Sequence, residues 1–184
     1  RFAETLLPLI SEDSDKAIEI AETSLARFPE QFNSQYVSRF RAKIGLPAEA
    51  PMPLIQEILD LLASQKVDFT LFFRHLTKVA AGDSPETLTS LFSDKESFEQ
   101  WFAKWRNEAD SANCLANMRA SNPILIPRNH RVEEAIQSAY NGDYAPFHCL
   151  VEALTKPYSE QAEYADLEKA PLPEEVVCET FCGT

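Results

Sequence analysis

Apolar residues recur at helical spacing along almost the whole chain, and this pattern is the feature that most limits its fold. One series runs from Ile18 to Phe28 at intervals of three and four residues, which places its members on one helix face. A second repeats every four residues from Phe32 to Ile44, and Gly45 follows it as a stop signal. Sustained alternation of apolar and polar residues, the pattern of a half-buried strand, is not found. The spacing therefore predicts an all-α, irregular multi-helix domain.

Side chains that can accept hydrogen bonds from exposed backbone N–H groups mark the starts of further helices. The polar cluster 12–15 is interpreted as such a cap, because it lacks the glycine and the twelfth-position glutamate of a calcium-binding loop. Asp68 is predicted to cap the next aromatic helix. Ser93, with Glu96 three residues later, has the capping-box pattern. Two more helices are predicted after the break at Asn122-Pro123.

Trp101 and Trp105 form an aromatic series with Phe98 and Phe102. Such a series can be an exposed binding platform or the core-facing side of a helix. The spacing i, i+3, i+4, i+7 favours the core.

The charge of the chain is acidic and unevenly distributed. It has 17 Lys and Arg against 29 Asp and Glu, a net charge of −12, which argues against a nucleic-acid partner. Residues 157–184 hold seven acids and one lysine, or −6 of that total. We therefore predict a helical domain over residues 1–156 and an extended, solvated and loosely held acidic tail over residues 157–184.

The four glycines and four cysteines exclude several classes of protein. The glycines lie far apart, so they cannot form a phosphate-binding loop, and we predict no catalytic or nucleotide-binding residue in this chain. The cysteines are too few for a disulfide-stapled secreted scaffold, and no apolar run approaches the length of a membrane span. We expect a cytoplasmic, reduced protein without a membrane partner.

The remaining reactive side chains show no arrangement typical of a catalytic or metal site. His75, His130 and His148 lack ligand spacing with one another or with Cys149, so no metal site is predicted. The arginines at positions 128 and 131 could contact a phosphate or an acidic partner, although capping and surface solvation are favoured.

Two cysteines, Cys178 and Cys182, lie near the end of the acidic segment. Their position predicts accessible thiols, but the surrounding acids raise a thiol pKa and slow its attack. On this evidence alone they are interpreted as inert.

Several segments of the chain, taken in order, resemble the C-terminal end of the selenoprotein O family. The opening Arg1-Phe2-Ala3-Glu4 and Leu6-Leu7-Pro8-Leu9-Ile10 resemble the helix that follows that family's kinase-like active site. The later segments that match are Asp68-Phe69-Thr70, Phe73-Arg74, Trp101-Phe102, Ser121-Asn122-Pro123, residues 128–136, residues 141–144, Lys156-Pro157-Tyr158 and Cys182-Gly183-Thr184. The resemblance runs the whole length of the chain.

The resemblance implies a parent protein with a kinase-like (pseudokinase) fold that transfers AMP from ATP to hydroxyl side chains of proteins. Such a parent binds ATP and Mg²⁺ through residues upstream of this chain. The chain itself would then be non-catalytic, forming the last helices of the C-lobe and the C-terminal extension. Its implied partners are the N-terminal kinase-like part of the same polypeptide and, for the parent, the proteins that are modified.

One functional position is carried over from the family. Cys182 matches the family's extreme C-terminal cysteine, which is selenocysteine in some animal members and can form an intramolecular disulfide with an upstream cysteine. The resemblance thus implies a redox-regulatory role for Cys182, whereas Cys178 matches no family motif and is a possible competitor in disulfide exchange.

Two hypotheses follow. The chain has no initiator Met and opens like the inside of a helix, so we expect a fragment whose N-terminal part is missing. It is then the C-terminal portion of a protein adenylyltransferase. The alternative is a free-standing helical interaction domain with no enzymatic parent, and the encoded residues upstream would discriminate between the two.

Overall fold

The computed structural model describes residues 2–50, 52–109 and 114–177, and α-helices account for most of them. No strand occurs among these residues, so the predicted all-α class is confirmed for the part described. The helices are α1 (Phe2–Ile10), α2 (Ser14–Ala26), α3 (Phe28–Ile44), α4 (Pro53–Ser64), α5 (Phe69–Ala80), α6 (Glu86–Thr89), α7 (Lys95–Glu108), α8 (Cys114–Ser121), α9 (Asn129–Tyr140) and α10 (Ala145–Ala153). Short 3₁₀ helices follow at Ala162–Glu168 and Pro173–Glu175.

The chain separates into two compact units, of which the first is Arg1–Phe40. Helices α1 and α2 contact each other there, and Asp13 caps α2 by accepting hydrogen bonds from the N–H groups of Asp15 and Lys16. Among the described side chains of this unit, Ala17 alone is buried. The large apolar side chains that remain more than half exposed are Phe2, Leu9, Leu25, Phe28 and Phe32. Unit one therefore presents apolar faces that nothing in the described chain covers.

The second unit is Arg41–Thr184, and its core is aromatic. Trp101 is buried, and its ring lies 5.9 Å from that of Phe72 and 6.0 Å from that of Phe98. Its indole Nε1 donates to the carbonyl of Leu54 at 2.8 Å, while Trp105 Nε1 donates to another backbone carbonyl on α3. The aromatic series of α7 is thus a core face, as predicted.

The helix caps agree with the sequence at Asp68 and differ at Ser93. Asp68 Oδ1 accepts from the N–H of Leu71 at 2.8 Å, which is the predicted cap of α5. The cap of α7 is Asp94, whose Oδ1 accepts from the N–H of Ser97 at 3.1 Å. Ser93 instead donates its hydroxyl hydrogen to Gln65, so the capping box predicted there is wrong. The carboxylate of Asp94, one residue later, is a stronger hydrogen-bond acceptor than the hydroxyl of Ser93.

Gly45 ends α3, as predicted, in a conformation that suits glycine. Its φ of +66° is in the left-handed region. A Cβ at this position would collide with the side chains of Cys114 and Met118 on α8. Glycine therefore allows both the turn and the close approach of α8.

The first part of the acidic tail, residues 157–168, lies against the preceding part of unit two, and we call it the strap. The carbonyl of Pro157 accepts from the N–H groups of Ile124 and Leu125, at 2.7 and 3.1 Å. Two apolar strap residues, Tyr164 and Leu167, pack on the cluster that those two residues form with Ala153. The expectation of a loosely held segment is therefore wrong for the strap, because its acidic sequence carries two apolar anchors.

None of the helices that the structure describes has the length and the apolar character needed to cross a bilayer.

Candidate functional site

The residue singled out as a redox switch lies outside the described residues. Cys182, and with it Cys178, falls in the segment 178–184. Of the two other cysteines, Cys149 is exposed on α10 and Cys114 is buried on α8. The redox role of Cys182 therefore stays a prediction.

The three histidines are distributed over three separate environments. His75 lies half-buried on α5, and burial, with the positive charges of Lys78 and Arg74, lowers its pKa. His130 is buried at the start of α9, where burial and Arg131 lower its pKa, while His148 is exposed on α10. Within the described ranges, no group of three or more His, Cys, Asp and Glu side chains could hold a metal ion.

Arg128 is buried and forms a two-pronged ion pair with Asp68. Its Nη1 lies 2.7 Å from Asp68 Oδ2, and its Nη2 donates to Oδ1 at 3.3 Å. Burial alone would raise the pKa of Asp68, but the hydrogen bonds from Arg128 and from the N–H of Leu71 hold that pKa below its ordinary value. Surface solvation, the favoured interpretation, is therefore wrong for Arg128, which joins the start of α9 to the start of α5.

Arg131, one turn further along α9, behaves differently. It pairs with Glu134 at 2.9 Å on the same helix, and both side chains keep contact with solvent. The two arginines, which the sequence presents as one motif, thus serve separate structural contacts.

A polar cavity of about 480 Å³ opens between α5, α8 and the strap, and we call it the Arg74 cleft. Helix α5 provides residues 74, 77 and 78, and its C-cap Ala81 continues the same face. The strap provides Tyr158 and Glu160. The full lining is Arg74, Thr77, Lys78, Ala81, Asp83, Arg119, Asn122, Ile124, Tyr158 and Glu160.

Three of the lining side chains are cations. Arg74 is 7% exposed, and its guanidinium donates to Glu160 at 2.5 Å and lies 3.6 Å from Glu168. Lys78 and Arg119 form no ion pair with any residue that the structure describes. The cleft therefore holds two cations outside the ion pairs of the described residues, together with one further carboxylate, that of Asp83.

Asn122 forms part of the cleft wall and is 3% exposed. Its Nδ2 donates to the carbonyl of Lys43 at 2.7 Å and to Thr77 Oγ1 at 2.9 Å. A carbonyl can only accept, so these contacts fix the orientation of the amide. Its Oδ1 is left with no hydrogen-bond partner among the described residues.

Sequence reasoning missed this cleft because its members are far apart in the chain. Arg74 was noticed only as part of a segment that resembles a family, Asn122 as part of such a segment and of a helix break, and Arg119 was not noticed. The signal that could have been used is the i, i+4 pair of cations at positions 74 and 78 on an otherwise apolar helix.

Comparison with known proteins gives the class of the chain. Its relatives include proteins named protein nucleotidyltransferase YdiU. It is 43% identical to the one from Nitrobacter hamburgensis over an alignment that covers all of this chain and 38% of the relative. It is 45% identical to the one from Rhodopseudomonas palustris strain BisB5, again over the whole chain and 39% of the relative.

The family follows from a second comparison. The sequence profile described as protein adenylyltransferase SelO matches residues 1–155. The chain belongs to the SelO family, which confirms the resemblance seen in the sequence. It spans about two fifths of the length of the curated relatives it matches.

Proposed function

We propose that this chain is the C-terminal portion of a protein adenylyltransferase, an enzyme that transfers AMP from ATP to hydroxyl side chains of proteins. The observation that carries the proposal is the family match over residues 1–155, together with relatives named nucleotidyltransferases that align with the whole chain. A free-standing helical interaction domain is less well supported, because those relatives extend well beyond this chain.

The described glycines do not form a glycine-rich phosphate loop of the kind that holds Mg²⁺–ATP. Gly45, Gly82 and Gly142 have positive φ, but each lies just past the end of a helix, where it closes a turn. A phosphate loop would need glycines grouped before a helix start. In this proposal the ATP and Mg²⁺ sites lie in the rest of the parent protein, and this chain contributes no reacting group.

The exposed apolar faces of unit one are consistent with a supporting role for the chain in the parent protein. The apolar side chains of unit one are more exposed than those of a self-contained unit, since Phe2 is 77% and Leu9 is 83% exposed. We assign these faces to packing against the kinase-like part of the parent polypeptide. The modified proteins would be partners of that whole, and the small number of cysteines favours the cytoplasm.

The proposed transfer can be tested with ATP labelled on the α-phosphate. The full-length polypeptide that contains these residues, given Mg²⁺ and a protein extract, is expected to attach the label to protein, and the 184-residue chain alone is not. ATP labelled on the γ-phosphate serves as the control, because only phosphorylation would fix that label. The proposal is wrong if the full-length polypeptide fixes no α-label under reducing conditions.

A second prediction concerns Cys182. In the full-length polypeptide, Cys182→Ser is expected to remove the loss of labelling that hydrogen peroxide causes, because a serine cannot form the regulatory disulfide. Cys149→Ser is the matched control, since Cys149 is an exposed thiol without this proposed role. Equal sensitivity of the Cys182→Ser and unaltered proteins would show that Cys182 is not the switch, without affecting the proposed transfer.

A further inference from the structure

We infer that the Arg74 cleft binds the phosphoryl group of a small ligand, and that Glu160 of the strap competes with that group for Arg74. The inference does not depend on the proposed function.

The cations of the cleft suit a phosphoryl group. Arg74 and Arg119 carry planar guanidinium groups that can each donate two hydrogen bonds, and Lys78 supplies a compact third charge. The three come from two helices, α5 and α8, so they meet around the cavity rather than along one surface. The oxygens of a phosphoryl group are arranged tetrahedrally, so donors on several sides of the cavity can bind them. A carboxylate is planar and has only two oxygens to accept hydrogen bonds.

The rigidity of Arg74 supports a binding role. The side chain is more than nine-tenths buried, and Glu168, itself largely buried, lies 3.6 Å from its Nε. A ligand would therefore meet a guanidinium that is already held in position, which lowers the entropic cost of binding.

Asn122 adds an acceptor to the same wall. Its Nδ2 is committed to Lys43 and Thr77, and its Oδ1 is buried without a partner in the described ranges. Leaving such an atom unpaired is unfavourable, because burial removes its hydrogen bonds to water. A monoprotonated phosphate, or a hydroxyl next to the phosphoryl group, carries the O–H donor that this oxygen lacks.

Glu160 is the residue that a ligand would displace. Its carboxylate is 2.5 Å from Arg74 Nη2, yet 70% of its side chain is exposed, so it can turn into solvent without leaving a buried charge. Glu168 would remain beside Arg74 after that exchange. Binding is therefore expected to release one of the two ionic contacts between the strap and α5.

Nuclear magnetic resonance of the 184-residue chain can locate the site, because the side-chain amide of Asn122 and the Nε–H of Arg74 give separate signals. We expect inorganic phosphate to shift both signals until they saturate, with a dissociation constant of about 1–10 mM. Sodium chloride at equal ionic strength is expected to cause no saturable shift. Phenyl phosphate should bind more tightly than inorganic phosphate, because Tyr158 at the rim can contact its ring.

Three variants separate the parts of the inference. Arg119→Gln should weaken phosphate binding about tenfold, and Glu160→Gln should strengthen it about fivefold, because the competing charge is removed. Lys104→Gln is the control, since Lys104 pairs with Glu57 elsewhere on the surface. All three positions are solvent-accessible, so the variants should fold, which circular dichroism would verify.

Four results would contradict parts of this inference. Signals that do not saturate, or an unchanged affinity in Arg119→Gln, would overturn the site. An unchanged affinity in Glu160→Gln would overturn the competition. Binding of acetate as tight as that of phosphate would overturn the phosphoryl class of ligand.

Discussion

Replacing Trp101 with alanine is expected to lower the free energy of unfolding of unit two by about 4 kcal/mol. The indole is 2% exposed and packs against the rings of Phe72, Phe98 and Trp105. Its removal leaves a cavity among rigid aromatic neighbours that cannot close it. Urea denaturation followed by circular dichroism measures the effect, and a loss below about 1 kcal/mol would contradict the packing described.

Trp101→Phe is the matched variant, because it keeps a six-membered aromatic ring and removes the five-membered ring together with its N–H. The carbonyl of Leu54 then loses its donor at 2.8 Å, and this is expected to cost about 1–3 kcal/mol. The difference between the two substitutions reports the packing of the six-membered ring that phenylalanine retains. Equal losses would mean that this ring does not stabilise the core.

Replacing Arg128 with methionine is expected to destabilise unit two by about 3 kcal/mol at neutral pH. Methionine keeps an unbranched apolar stem but is shorter than arginine and cannot pair with Asp68, whose side chain is only 23% exposed. The substitution therefore leaves a partly buried carboxylate without its cation. Thermal or urea denaturation would measure the loss.

Arg131→Met is the control for charge and helix position, because the ion pair that Arg131 forms within the described residues is with Glu134 on its own helix. Exposed pairs of this kind contribute about 0.5 kcal/mol. Equal losses at the two positions would contradict the role assigned to Arg128.

The Arg128→Met effect should depend on pH in a defined direction. The pKa of Asp68 lies below its ordinary value in the folded protein, so its contribution to stability is complete above the unfolded value of about 3.9. That contribution is lost as the pH falls through the folded-state pKa. The difference between the unaltered protein and Arg128→Met should accordingly shrink in acid.

The helices could be predicted because their signals are local. Apolar spacing gave the face of α7 that contains Trp101, and single polar residues gave the cap at Asp68. The prediction at Ser93 failed by one residue, because Gln65 binds both the hydroxyl of Ser93 and the N–H of Asp94. That contact comes from a distant helix and has no signature near Ser93.

The tertiary ion pairs could not be predicted for a related reason. Arg128 and Asp68 are 60 residues apart, and Arg74 and Glu160 are 86 apart. Composition shows only an excess of acid in the tail. The packing of the strap, which Tyr164 and Leu167 fix, decides which of these acids lies beside the buried guanidinium of Arg74.

The strap also limits the distance that the end of the chain can reach from the rest of unit two. Beyond it, residues Glu174 to Val177 line a surface pocket with His130 and Arg131 of α9, so the described chain ends at a definite place. Five residues lead from Val177 to Cys182, a reach of at most about 18 Å between their Cα atoms. A chain released at Lys156 would have 26 residues to Cys182, and its effective concentration near any fixed thiol would fall about tenfold. In the redox role proposed above, the strap would thus influence the rate of disulfide formation through the length of the tether.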